Sequence, residues 1–365
     1  MGHGLFYMPS VHWGLQIAIY LFLGGLAGGS YITGYVADLL STRTELPEEY
    51  LARRETARWG MYVSVVSIGV GGIALVLHLG QPLRAFYFPL TFDNYGSWMV
   101  IGTWTIVIFT LFAVIQAFWY TFGSAVEGEA GMSLIARRIL SRWIRLDPGG
   151  PGRSGIVRML DWIADLTRPP RWLWLGFGAI GGGLAAILIA YTALLLSAVT
   201  TVPLWNRTFL PLLFLMSGIS TGIAAATGLT ILFEGLSETV HQYSLADDAL
   251  IVIELLILGT LLSTLEPSGF SGRISLYLVN NTYQLVFWGG FVLIGLITPV
   301  AASLAMTALC YPDGHEALSA RMQRAIHVGF LGKYALVLGG GFLIRLLVLL
   351  LAVQQPYIPI DVPGM

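Results

Sequence analysis

Long apolar runs broken by short polar stretches fill almost the whole chain. Eight of these runs fall near 12–40, 59–79, 97–122, 173–198, 208–233, 247–265, 283–309 and 326–353. About 20 apolar residues cross a bilayer core as a helix. The pattern predicts an all-α integral membrane protein with eight transmembrane helices.

The first and fifth runs carry a repeat. Leu21-Phe22-Leu23-Gly24-Gly25-Leu26-Ala27-Gly28-Gly29 returns in outline as Leu213-Phe214-Leu215-Met216-Ser217-Gly218-Ile219-Ser220-Thr221-Gly222. Each lies in the first helix of a set of four. Two four-helix bundles are expected, residues 1–198 and 199–365. Four is even, so the two sets share one orientation, a parallel repeat. Gly24/Gly28, Gly25/Gly29 and Gly218/Gly222 are small-xxx-small pairs that let helices approach closely.

The arginines give the expected orientation. With both termini outside, the inner loops hold Arg43, Arg53, Arg54, Arg58, eight arginines from Arg137 to Arg171, Arg321 and Arg324. The outer loops hold only Arg84, Arg207 and Arg273. Positive residues favour the cytoplasmic side. The longest loop, 123–171, is then cytoplasmic. Its segments near 132–145 and 154–167 mix arginines with Leu, Ile, Met and Trp, as orientation-setting loops and surface-lying amphipathic helices both do.

Composition narrows the function. The chain is 56% hydrophobic and 11% charged, against roughly 25% charged for a soluble domain. The single Cys310 excludes a Cys-ligated iron–sulfur cluster or Cys-rich zinc site within the chain. The first run has no Lys or Arg before it and is too long for a signal-peptide core, so it is expected to remain as a span. With no soluble domain predicted, no site for a nucleotide or a bis-molybdopterin centre is expected.

Polar residues inside the spans mark the candidate chemistry. His12, Gln16 and Tyr20 are spaced i, i+4, i+8 on the first helix. They form one stripe that drifts about 40° per step and descends roughly 12 Å. Tyr191 lies in the outer half of the fourth helix and His78 ends the second. Asp93, Asn94, Trp205 and Asn206 occupy adjoining outer loops. Such a set at the mouth of a bundle suits a quinone, whose two carbonyls need hydrogen-bond partners and whose ring needs apolar walls. Tyr and His at helix ends are also ordinary interface anchors. Deeper in, Glu234, Glu254, Lys333 and Arg345 are candidates for a proton path. Charges in a span usually pair, and Glu254 with Lys333 is the expected pair. Only His12 and His78 lie where two haem ligands could meet, so no haem is expected.

These residues sit in a wider pattern. Tyr20-Leu-Phe-Leu-Gly-Gly-Leu-Ala-Gly-Gly29 is followed by His78-Leu-Gly-Gln-Pro-Leu-Arg-Ala-Phe86. Next come Tyr191-Thr-Ala-Leu-Leu-Leu196, Pro203-Leu-Trp-Asn206, Pro211-Leu-Leu-Phe-Leu-Met-Ser-Gly218 and Gly340-Gly-Phe-Leu-Ile-Arg345. Taken in order, they resemble the NrfD/PsrC-type membrane subunits of respiratory oxidoreductases, including polysulfide reductase. The resemblance implies an eight-helix quinone-reactive anchor in a prokaryotic cytoplasmic membrane, binding menaquinone or ubiquinone. It implies a ferredoxin-like [4Fe-4S] subunit at the outer face, and beyond it a molybdenum catalytic subunit or a cytochrome. Tyr191 and the His12 to Tyr20 stripe match the family's pocket positions. The chain departs in two places: where relatives commonly have Asp-Leu-Gly-Arg-Pro it reads His78-Leu-Gly-Gln-Pro82, which makes His78 a candidate substitute for the acid, and at the level of Tyr20 some relatives carry a His. Among the catalytic candidates are therefore Tyr191, His12, His78 and Asp93. Among the cofactor-binding ones are His12, Gln16, Tyr20, Tyr191, Trp205 and Asn206. Two other readings remain: a transporter or channel with polar sites at mid-membrane, and a haem-bearing cytochrome b-type anchor. Nucleic acid is not an expected partner; the lipid bilayer is.

Overall fold

The computed structural model describes residues 15–44, 46–78, 96–122, 155–310 and 320–353. The described elements are all helical, and eight helices are long and apolar enough to cross a membrane. In chain order they are α1 (Leu15–Ser41), α2 (Pro47–His78), α3 (Trp98–Thr121), the short α4 (Gly155–Thr167), α5 (Arg171–Ser197), α6 (Phe209–Glu234) and α7 (Glu238–Ser263). After a 3₁₀ turn, α8 (Gly269–Tyr277) follows. A π-helical stretch, Leu285–Ile297, runs into α9 (Thr298–Cys310), and α10 (Ala320–Leu350) closes the bundle.

The two largest differences from the hydropathy reading are at helix starts. α2 begins at Pro47, not near 59, with Glu48 and Glu49 in its first turn, where acidic side chains favour the helix dipole. Arg53, Arg54 and Arg58 therefore stand inside a helix, buried, instead of in a loop. α7 begins at Glu238 rather than near 247. Its first turns, Thr-Val-His-Gln-Tyr-Ser, are too polar to register as apolar. Asp247 and Asp248 consequently lie about 13 Å into the helix, not at its margin. The seventh span is also irregular. Leu285–Ile297 is π-helical and ends just before Pro299, whose ring cannot sit behind a regular i−4 carbonyl. The Thr298 hydroxyl donates to the Leu293 carbonyl, five residues back, at 2.8 Å.

The two repeated glycine motifs meet each other. A Cβ on Gly29 would lie 1.8 Å from the Gly218 carbonyl oxygen, and one on Gly222 would lie 2.0 Å from the Gly29 carbonyl carbon. Only glycine permits this backbone contact, and it fixes where α1 and α6 cross. One buried cluster packs around α6, α7, the π stretch and α10. A second packs α1, α2, α3 and α5 around Tyr31, Phe109 and Tyr120. Leu285, Leu77, Val66 and Leu256 stand on the outside, as lipid-facing side chains do.

Candidate functional site

Among the described residues, three polar assemblies occupy the bundle. The first joins α1, α2 and α5 at one end. Asp38 accepts from Arg54 at 2.8 Å, from Arg171 at 3.0 Å and from the Trp174 indole at 2.7 Å. The antiparallel run of α1 and α5 makes this possible, bringing the last turns of one beside the first turn of the other. Nearby, Arg58 donates to Glu55. Glu234, exposed at the end of α6, interacts with Arg58.

The second assembly is deep and draws on four helices. Lys333 of α10 donates to Asp248 at 2.7 Å, to the Ser244 hydroxyl at 2.7 Å and to the Ser244 carbonyl at 3.1 Å. Asp247 Oδ2 lies 3.3 Å from the same ammonium. Ser220 of α6 donates to Asp247 at 2.6 Å, and Ser303 of α9 meets Ser244 at 2.9 Å. Ser220 is about 16 Å from one end of α6 and about 21 Å from the other, so this is the middle of the bundle. Lys333 and Asp247 are 1% and 0% exposed. The expected Glu254–Lys333 pair is not formed; Lys333 belongs to Asp247 and Asp248. Hydropathy hid the true partners because it placed them at a helix margin.

Glu254 has another partner. It lies two turns along α7 from Asp247, beside Ser217, and the Arg345 charge acts on it. Arg345 donates to Ser217 Oγ at 2.7 Å and to the Gly341 carbonyl at 2.7 Å. Ser217 thus holds the guanidinium whose charge acts on Glu254. Arg345 also reaches the α1 crossing: a Cβ on Gly25 would lie 2.8 Å from its Nη2. Glycine at position 25 leaves room for the guanidinium.

The third assembly holds the tyrosines, at the end of α1 opposite Asp38. Tyr20 and Tyr191 are both 5% exposed, and their phenols are close enough to interact electrostatically. The Tyr191 ring lies over Gly102 of α3, where an added Cβ would be 1.7 Å from its Cζ. Beside it, α3 and α5 enclose a groove of about 310 Å³ lined by Val100, Ile101, Trp104, Thr105, Ile108 and Leu184. Its walls are almost wholly apolar.

The other sequence candidates divide. Gln16 is exposed on the first turn of α1. Trp205 is buried and donates to the Val348 carbonyl at 3.0 Å, tying the α5–α6 connection to α10. Asn206 accepts from the backbone of Thr208 at 2.9 Å and Phe209 at 3.3 Å, closing the start of α6. Both side chains are engaged by the scaffold. His12 and Asp93 lie outside the described residues, as does the side chain of His78. Among the described residues, no cluster of His, Cys, Asp and Glu could hold a metal ion.

Among the described residues, eight span-length helices around buried ion pairs define a multi-pass membrane protein. The chain belongs to the NrfD family: the family described as "Polysulphide reductase, NrfD" matches residues 5–355. It is similar to the Protein NrfD homolog of Haemophilus influenzae, 29% identical over 308 residues, which cover 82% of this chain and 85% of that one. It is also similar to the C subunit of polysulfide reductase from Wolinella succinogenes, 28% identical over 302 residues, covering 81% of this chain and 84% of that one. Protein NrfD of Escherichia coli is 30% identical over 222 residues, 60% of each chain.

Proposed function

We propose that this chain is the quinone-binding membrane anchor of a respiratory oxidoreductase complex in a prokaryotic cytoplasmic membrane. Electrons pass between a membrane menaquinone or ubiquinone and a [4Fe-4S] partner subunit at the outer face, and from there to a molybdenum or cytochrome subunit. The carrying observation is the Tyr20–Tyr191 pair, buried beside an apolar groove between α3 and α5. Two phenols can donate to the carbonyls of a quinone, and the groove suits its ring or isoprenoid tail. A quinone supplies two-electron, two-proton chemistry; the chain supplies the hydrogen bonds and a dry wall. The arginine asymmetry supports an outer-face position for this pair, with Asp38 towards the cytoplasm.

The test is Tyr191→Phe in the assembled complex. Loss of one hydrogen bond to a buried group costs about 1–3 kcal/mol, or roughly 5- to 150-fold in quinone turnover. Subunit level in the membrane should stay unchanged. Wild-type quinone kinetics in that variant would remove Tyr191 from the site.

Proton translocation is a second reading, and a specific feature favours it. Two carboxylates share one lysine at mid-bundle, so full ionisation leaves a net negative charge where a charge is expensive. From there Glu254, Ser217 and Arg345 lead towards Gly25, about 7.5 Å along α1 from Tyr20. A path built this way would connect mid-bundle with the quinone end. Proton uptake and release by complex-containing liposomes would decide it, comparing wild type with Glu254→Gln. Unchanged stoichiometry at normal turnover leaves Glu254 and Arg345 as scaffold.

A further inference from the structure

The Asp38 end carries a feature that quinone chemistry does not use. A cleft of about 280 Å³ opens there, with Thr42, Tyr50, Arg54, Arg168, Arg171 and Trp174 among its walls. Three guanidiniums therefore face one space. Asp38 is bound to two of them, Arg54 and Arg171. Asp165, exposed one turn before Arg168, is the other carboxylate that acts on the third. A positive excess remains.

Arg168 is the least compensated member. It donates to the Trp119 carbonyl and lies 5.4 Å from the Trp174 ring. Its Nε is buried without a hydrogen-bond partner. Burial first, then the neighbouring Arg54 charge, pushes its pKa down, so an anion in the cleft would relieve it. Arg171 keeps 42% of its side chain exposed and has a face free to meet a ligand.

A separate observation points to the source of that anion. α4 leads directly into Arg168, and its open face carries Met159, Trp162 and Leu166, at 52%, 64% and 69% exposure. Trp172 follows at 72%. A helix that leaves such a stripe uncovered lies in the membrane interface with its apolar face in the acyl boundary. The cleft at its C-terminal end is then level with lipid headgroups. Guanidiniums bind phosphate oxygens in bidentate pairs, and basic pockets between helices on the cytoplasmic side hold anionic headgroups.

We propose that this cleft is a binding site for the phosphate of an anionic phospholipid, with Arg168 and Arg171 as its donors and Tyr50 at its rim. Free phosphate shares the oxyanion chemistry; the apolar stripe favours the lipid. The inference needs only a membrane-spanning chain and stands apart from the quinone reading.

Native mass spectrometry of the delipidated full chain tests it, using added phosphatidylglycerol, phosphatidylcholine of matched acyl length, and inorganic phosphate as competitor. Wild type should retain phosphatidylglycerol about tenfold better than phosphatidylcholine, and Arg168→Gln should lose about tenfold, as one charge-assisted hydrogen bond implies. Thr42→Glu, at the exposed mouth, should give a similar loss without touching the Arg168 contacts, and covers the case in which Arg168→Gln fails to fold. Equal retention of the two lipids, or normal retention in Thr42→Glu, overturns the site. Displacement of the lipid by millimolar inorganic phosphate overturns the lipid as its ligand.

Discussion

The first four spans and the last four treat buried charge differently. Asp38, Arg54 and Arg171 join α1, α2 and α5 at their ends, where Arg171 still reaches solvent. Asp247, Asp248 and Lys333 join α7 and α10 at mid-bundle, where the lysine side chain and that of Asp247 are fully buried. End charges need only pin helices, because water and headgroups share the cost. Mid-membrane charges have no such relief, and persist only when partners surround them. Here a serine from each of α6, α7 and α9 completes the shell. The first four spans thus hold these charges at helix ends, and the last four enclose theirs at mid-bundle.

The strongest test of that contrast is Lys333→Met. It strands two carboxylates at mid-bundle and should cost about 3–5 kcal/mol, seen as loss of folded subunit by size-exclusion of a fluorescent fusion. Adding Asp247→Asn and Asp248→Asn should recover most of it. A triple variant no better than the single one would mean that the aspartates are not the lysine's counter-charges.

The α1–α6 crossing comes next. Gly222→Ala drives a methyl into the Gly29 backbone and should lower stability by about 1–3 kcal/mol, the usual cost of overpacking. Gly69→Ala, at a position with nothing within 4 Å, is the control and should leave the melting temperature of the purified protein in place. Equal melting temperatures for both variants would deny that α1 and α6 cross where the repeats meet.

The end cluster should give the smallest effect. Asp38→Asn keeps the shape but removes the charge shared by Arg54 and Arg171. A loss of about 1.5 kcal/mol is expected, the lower end for a hydrogen bond to a charged group. Raised salt should shrink the difference, because Arg171 is partly open to solvent. A penalty as large as that of Lys333→Met would erase the distinction between end and middle.

Much of the architecture was legible in the chain. The eight spans follow from apolar length alone, because each backbone group in a bilayer must be satisfied within its own helix. The glycine repeats were visible as well, although their meeting each other was not. Tyr20 and Tyr191 were readable as candidates because a phenol within an apolar run stands out. Trp205 and Asn206 were equally visible, yet each is engaged in the scaffold, a distinction that residue type does not carry.

The sequence by itself determined which segments cross the membrane, since hydropathy is local and additive. Tertiary structure decided which charges meet. Lys333 and Asp248 are 85 residues apart, and no local rule selects Asp248 over Glu254. The depth of each residue in the bundle, the true start of α7 and the close α1–α6 crossing fix that choice, and all three are properties of packed helices.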